Sequence, residues 1–306
     1  MSQRIYERRG AMVVLVALVA LVAGPALAQD SAPRTAWGEP DLQGVWDFRT
    51  ITPMQRPERY GDKEFLTAEE AAALDQAAVD RELRLWNQAP ERTEAGGNVD
   101  RRGAGQAPGS YNQFWIDSGT RSVDTRQTSL ITYPPNGRYP SLTAEGQRRS
   151  DERRTYAREH PADTWEDFSS GVRCILGFNA GPPFTPSAYN NNMQLFQTPD
   201  HVVVMTEMVN TSRVIPLDGT SHLDPEVLQW SGDSRGYWDG DSLVVETVNF
   251  LRETSFMRGG SGPALQLEER FTRVSVETLV YEVTVNDPAT WTRPWTYRVP
   301  MTRNPE

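Results

Sequence analysis

Residues 265–285 read LQLEERFTRVSVETLVYEVTV, and their two-residue period decides the fold. In the second half, Leu279, Tyr281, Val283 and Val285 fall on one side of a pleated strand. Val280, Glu282, Thr284 and Asn286 fall on the other, so this strand has a core side and a largely wet side. In the first half Leu265, Leu267 and Phe271 define an apolar side, and Glu269 sits among them. WTYRVPM (295–301) repeats the pattern, with Trp295, Tyr297, Val299 and Met301 opposite Thr296 and Arg298. Working outward, similar runs begin near residue 190: MQLFQ (193–197), HVVVMTEM (201–208), SRVIPL (212–217), GYW (236–238) and DSLVVETVNF (241–250). Asp239-Gly240 joins the last two as a hairpin signal, and GVWDF (44–48) is an earlier strand. The expected fold is mainly β, an antiparallel meander that removes its edges by closing into a barrel, or alternatively by stacking as a sandwich.

The region 29–190 has a different texture, loop-rich with two helices, and is expected to pack on the β domain of 191–306 as one structural unit. Thr67-Ala-Glu-Glu70 is a capping box ahead of a helix over about 68–87. Leu142-Thr-Ala-Glu145 opens a second over about 144–159, whose many Arg and Glu side chains read as a solvated face. Residues 89–110 carry Gly and Pro without periodicity and read as a mobile surface loop.

The 306 residues hold 31 basic against 41 acidic side chains, a net charge of -10. Lys63 is the single lysine, so no polybasic stretch exists to neutralise phosphates, and nucleic acid and anionic membranes are poor partners. Residues 1–28 read as a cleaved signal peptide: Arg4, Arg8 and Arg9, the apolar run 11–23, then Ala26-Leu27-Ala28. The run is short of the ~20 residues that cross a bilayer, so a membrane anchor is the weaker reading. Arg8-Arg9 is only a faint twin-arginine signal. Cleavage near Ala28 removes three Arg and one Glu, taking the charge from -10 to -12, and leaves a mature chain without an apolar span, periplasmic or secreted. The one cysteine, Cys174, is either a buried small hydrophobe or has its partner outside this chain.

Three carboxylates fall in register with apolar side chains: Glu269, Glu246 with Val244, Val248 and Phe250, and Glu207 with Val203 and Met205. In the last two strands both sides are apolar, which leaves the assignment open. A buried carboxylate must be paired, hydrogen-bonded or protonated. These three are therefore either acids poised in a barrel interior or partners of arginines, with Arg213 and Arg270 at hand. Tyr189-Asn190-Asn191-Asn192 is either an amide platform for a hydroxyl-rich or carbonyl ligand, or a turn, since Asn tolerates left-handed backbone. Of three histidines, His160 reads as a helix C-terminal cation and His201 as solvent-facing. His222, near Asp218 and Asp224, is the best general-base candidate. No spaced His/Cys set, phosphate loop, dinucleotide fingerprint or GxSxG occurs, so no metal or cofactor is expected. The chain is rich in tryptophan, nine in all; Trp238 and Trp295, with Tyr281, are candidate stacking surfaces beside their ordinary role in packing.

TAWGEPDLQGVW (35–46), YNNNMQLFQTPD (189–200), WSGDSRGYWDGDSLVVETVNF (230–250) and ERFTRVSVETLVYEVTVNDPATWTRPW (269–295) resemble an uncharacterised family of exported bacterial proteins. The resemblance covers nearly all of the mature chain and implies a signal peptide and a β-rich domain, but no activity. It also implies a further C-terminal segment with a Cys-His-Glu run beyond the Met301 region. On that expectation this chain is truncated and Cys174 has lost a disulfide partner. Gly44-Val45-Trp46 is similar to the Gly-x-Trp of lipocalin-like barrels. Three functions are expected in turn. The first is binding of a small apolar or glycosidic ligand by Tyr189–Asn192, Arg213, Trp238, Tyr281 and Trp295. The second is a hydrolase or lyase using His222 with Glu207, Glu246 or Glu269. The third is an envelope interaction module without a pocket.

Overall fold

A computed structural model describes residues 32–87, 116–254 and 262–305. The expected signal peptide and the whole of the expected loop 89–110 lie outside them. Ten strands form one sheet: β1 (Gly44–Asp47), β2 (Ile131–Tyr133), β3 (Asn192–Gln197), β4 (His201–Thr206), β5 (Ser212–Pro216), β6 (Asp233–Asp239), β7 (Ser242–Val248), β8 (Gln266–Arg273), β9 (Thr278–Asn286) and β10 (Trp295–Asn304). Two helices accompany them, α1 (Ala68–Trp86) and α2 (Ala144–Glu159). None of the helices among the described residues is long and apolar enough to cross a membrane.

The order across the sheet is β5-β4-β3-β1-β10-β9-β8-β7-β6, every pairing antiparallel, with β2 alongside β10. Two meanders are thus joined by β1, which pairs with β10 on one side and β3 on the other. The path ends at β5 and β6, and no backbone ladder joins these two. Their side chains nevertheless approach: a Cβ on Gly236 of β6 would lie 2.9 Å from Ile215 Cγ2 and 2.7 Å from Leu217 Cδ2.

The alternation read from the sequence places the core. Leu279, Tyr281, Val283 and Val285 on β9, and Trp295, Tyr297, Val299 and Met301 on β10, are fully buried. Opposite them Glu282, Thr284 and Thr296 are only half-buried. Trp46 on β1 is sealed in this core, its indole donating to the Leu42 carbonyl at 2.9 Å, with the Arg273 guanidinium 5.2 Å from its ring. Phe184, from the Gly-Pro-Pro segment, is inserted on the same inner face. The Tyr297 hydroxyl donates to its carbonyl at 2.6 Å, and its amide donates to the Tyr281 hydroxyl at 3.2 Å. This inner face is filled with aromatic rings.

Both helices begin as the capping signals predict. Thr67 and Glu70 exchange their hydrogen bonds at α1, and the Thr143 hydroxyl accepts the Gly146 amide at α2. Gly146 also lets α2 dock, because a Cβ there would lie 2.6 Å from the Thr290 carbonyl oxygen. Arg149 then donates to the Thr290 hydroxyl at 2.7 Å.

Candidate functional site

Strand alternation on β8 carries Leu267, Glu269, Phe271 and Arg273 to the inner face, all buried. Glu269 is completely enclosed, with Val245 and Val283 as its cross-strand neighbours. Arg213 on β5 meets it with both guanidinium nitrogens, Nη1–Oε2 at 2.5 Å and Nη2–Oε1 at 3.0 Å. Tyr281 donates to Oε1 at 2.9 Å, and the Thr247 hydroxyl lies 3.4 Å from Oε2. Ser234 on β6 bonds Thr247 at 3.0 Å and receives Arg213 Nη1 at 3.4 Å. This network therefore links β5 to β6 through side chains where the backbone does not pair. A bidentate, charge-assisted pair with every lone pair engaged is what a buried carboxylate requires.

The enclosure shifts the neighbouring groups. Burial opposes the charged form of Arg213, but the charge and hydrogen bond of Glu269 outweigh it and raise the guanidinium pKa. Burial, then the Glu269 charge, push the hydroxyls of Tyr281 and Tyr297 well above the usual phenol value.

The other two expected interior acids lie elsewhere. On β7 the inner side is Leu243, Val245 and Thr247, so Glu246 is exposed on the outer side across from Arg235 and Glu268. Both sides of this strand are apolar and Val244 on the outer side is buried as well, but packing places Leu243 and Val245, not Val244, in the main core. Glu207 follows the end of β4, exposed, accepting from Asn192 Nδ2 at 2.9 Å. Arg270 is on the outer face, paired with Asp239 and Glu268. The expected union of His222 with one of the three glutamates is not formed.

His222 pairs instead with Asp233, Nδ1–Oδ2 at 2.8 Å, and not with Asp218 or Asp224, which are occupied by turn contacts to Thr220 and Glu226. Asp233 also accepts the Leu223 amide at 3.0 Å and Arg235 Nη1 at 2.7 Å. Burial pushes its pKa up, but the Leu223 amide, His222 and Arg235 outweigh this and hold it below the ordinary carboxylate value. Asp233 and Ser234 are adjacent on β6, so the two clusters occupy opposite sides of one strand. Sequence reading missed Asp233, Ser234 and Thr247. Thr247 was legible, being two residues beyond Val245 on the inner side of the same strand.

A cavity of about 580 Å³ opens where β5 and β6 approach each other, lined by Arg213, Ser234, Asp233, Gln229, Trp230 and Ser231 among others. Gly232 shapes its wall: with φ +69° and a would-be Cβ 2.6 Å from the Val248 carbonyl oxygen, the position excludes other residues. The charged groups on the lining, Arg213 and Asp233, are already paired, so the cavity offers hydroxyls, an amide and an indole.

The remaining expected site residues lie apart. Asn191 is buried and consumed locally, accepting the Ser187 amide at 2.8 Å and donating to the Ser187 and Asp117 carbonyls, each at 3.0 Å. Asn190 takes φ +54°, and Asn192 is a β3 residue tied to Glu207, so the run behaves as a turn. Tyr189 lines a second cavity, of about 620 Å³. Trp238 packs on the core at the opposite end of β6 from Ser234. Trp295 is fully buried, stacked on Tyr297 at 5.7 Å and edge-on to Tyr139 at 4.9 Å, so it belongs to the packing and not to a ligand surface. Cys174 is exposed, which overturns its reading as a buried hydrophobe.

The fold and site define a mainly β protein with a polar clasp across the ends of its sheet and a neutral, hydroxyl-lined cavity beside it. No family model matches the chain, and neither a curated protein nor a solved structure shows significant similarity to it.

Proposed function

We propose that this protein binds a small, neutral, hydroxyl-rich ligand of the glycosidic class in the cavity beside Arg213, at the mouth of a sheet that curls toward a barrel. The observation that carries the reading is the lining itself. Trp230 offers an apolar face, Ser212, Ser231 and Gln229 offer exchangeable donors and acceptors, and the charges present are matched internally. A charged ligand would lose hydration here without gaining a counter-charge, whereas a sugar ring exchanges water for hydroxyl and indole contacts. The approach of β5 and β6 through Arg213, Ser234 and Gly236 supports the curling. The apolar run and Ala-x-Ala of residues 11–28 support export, which would put the protein where extracellular glycosides occur.

The test is titration of the protein with a panel of methyl glycosides, followed by calorimetry and tryptophan fluorescence. At least one member should saturate, and Ser231→Trp, which fills the cavity, should abolish that binding with the thermal midpoint retained. Binding that survives this substitution, or a panel with no saturating member, overturns the reading.

A second reading, acid–base hydrolysis, draws on the Asp233 carboxylate orienting His222 through Nδ1 at 2.8 Å. It predicts turnover of chromogenic aryl glycosides that His222→Ala abolishes. Absence of turnover in the intact protein removes it.

A further inference from the structure

We propose that the cavity of about 620 Å³ is a second subsite of the same ligand site, receiving an apolar aglycone. On this view the ligand is a neutral alkyl or aryl glycoside rather than a free sugar. The inference rests on the glycosidic reading of the first cavity and adds to it.

The two cavities share a wall. Thr254 lines the second; its hydroxyl donates to the Trp230 carbonyl at 2.9 Å and its amide to the Leu251 carbonyl at 3.0 Å. Trp230 and Leu251 both line the first. Arg173 marks the same junction from the other side. It lies between Val172 and Cys174, which line the second cavity, and its guanidinium carbon is 5.8 Å from the Trp230 ring. On the proposal one ligand of moderate length crosses this wall and meets both linings.

Their chemistries are complementary. Among the described residues the second lining holds no charged side chain: Val172, Leu176, Phe178 and Pro182 give it an apolar body, with Ser, Thr and Tyr hydroxyls around it. Val172 is 66% and Phe178 56% exposed, apolar surface that an alkyl or aryl group would cover. A third cavity, of about 480 Å³, shows the contrast: Arg149, Arg153, Arg252, Glu145 and Glu152 line it beside Tyr156, Pro263 and Ala264, so charged groups dominate there.

Cys174 makes the inference measurable, because it is the sole cysteine, is exposed and lines the second cavity. The experiment compares methyl, butyl and hexyl glycosides of the sugar that saturates the first cavity. The readouts are affinity and the rate of Cys174 alkylation by N-ethylmaleimide. Affinity should rise about fourfold per methylene as the chain enters the second cavity. The hexyl compound should slow alkylation severalfold, and the methyl compound should leave it unchanged. Val172→Asp should remove both the chain-length dependence and the protection, while Val274→Asp, an exposed position outside both linings, should change neither. Saturation by the methyl compound with no chain-length dependence and no protection overturns the second subsite and leaves the first intact. If no glycoside saturates and alkylation is never slowed, the first reading fails and takes this one with it.

Discussion

Arg213 and Glu269 lie on strands at different places along the sheet, β5 at one end of the pairing path and β8 two strands from the other. Their side chains meet in two hydrogen bonds of 2.5 and 3.0 Å. The pair holds together a seam that no backbone ladder closes, and Arg213 also faces the cavity. Structure and proposed site therefore meet at the same residue.

Removing one member of this pair leaves the other charge buried. Glu269→Gln should destabilise the protein by about 3–5 kcal/mol in urea unfolding. The double substitution Arg213→Met/Glu269→Leu should lose less than Glu269→Gln alone, because no orphan charge remains. A double variant worse than the single one would show that the pair does more than satisfy itself.

Tyr281→Phe should cost about 1–3 kcal/mol, since it removes a donor to Glu269 and the acceptor of the Phe184 amide. Burial, and then the Glu269 charge, raise the pKa values of Tyr281 and Tyr297 above the phenol value of about 10. The fold therefore favours their neutral forms, and stability falls as pH rises above about 10. In an ultraviolet titration both should stay protonated until the fold opens. Ionisation of all tyrosines in step, with the fold intact, would contradict this.

Asp233 has the opposite sign. Its pKa is held down in the fold, so its contribution is complete above the unfolded value of about 3.9 and is lost as pH falls through the lower folded value. Asp233→Asn should cost about 1–3 kcal/mol near neutral pH. The gap between the thermal midpoints of variant and wild type should narrow steadily in acid. A gap constant with pH would mean that the carboxylate charge is not what holds His222, Arg235 and the Leu223 amide.

Gly232→Ala should destabilise by roughly 1–3 kcal/mol, because φ is +69° and the new Cβ meets backbone oxygen at 2.6 Å. Gly240→Ala, also at positive φ but with open space around it, should cost less. Equal losses at the two sites would show that backbone conformation alone, and not contact with β7, governs this wall.

The sequence by itself determined the strands other than β2, the two helix starts and the inward Glu269, because these are local properties. Alternation over one strand sets which side is apolar, as in Leu265, Leu267 and Phe271, and a capping box such as Thr67 and Glu70 closes within one turn. Where both sides of a strand were apolar, as around Glu246, the local signal was silent and packing chose Leu243 and Val245 for the inside. Only the tertiary structure inserted β1 between β10 and β3, and only it gave His222 the carboxylate of Asp233. It alone set Arg213 against a glutamate 56 residues away beside a cavity. Such pairings are decided by competition among distant backbone edges and by what fills the shared core, and no period within a single strand encodes that outcome.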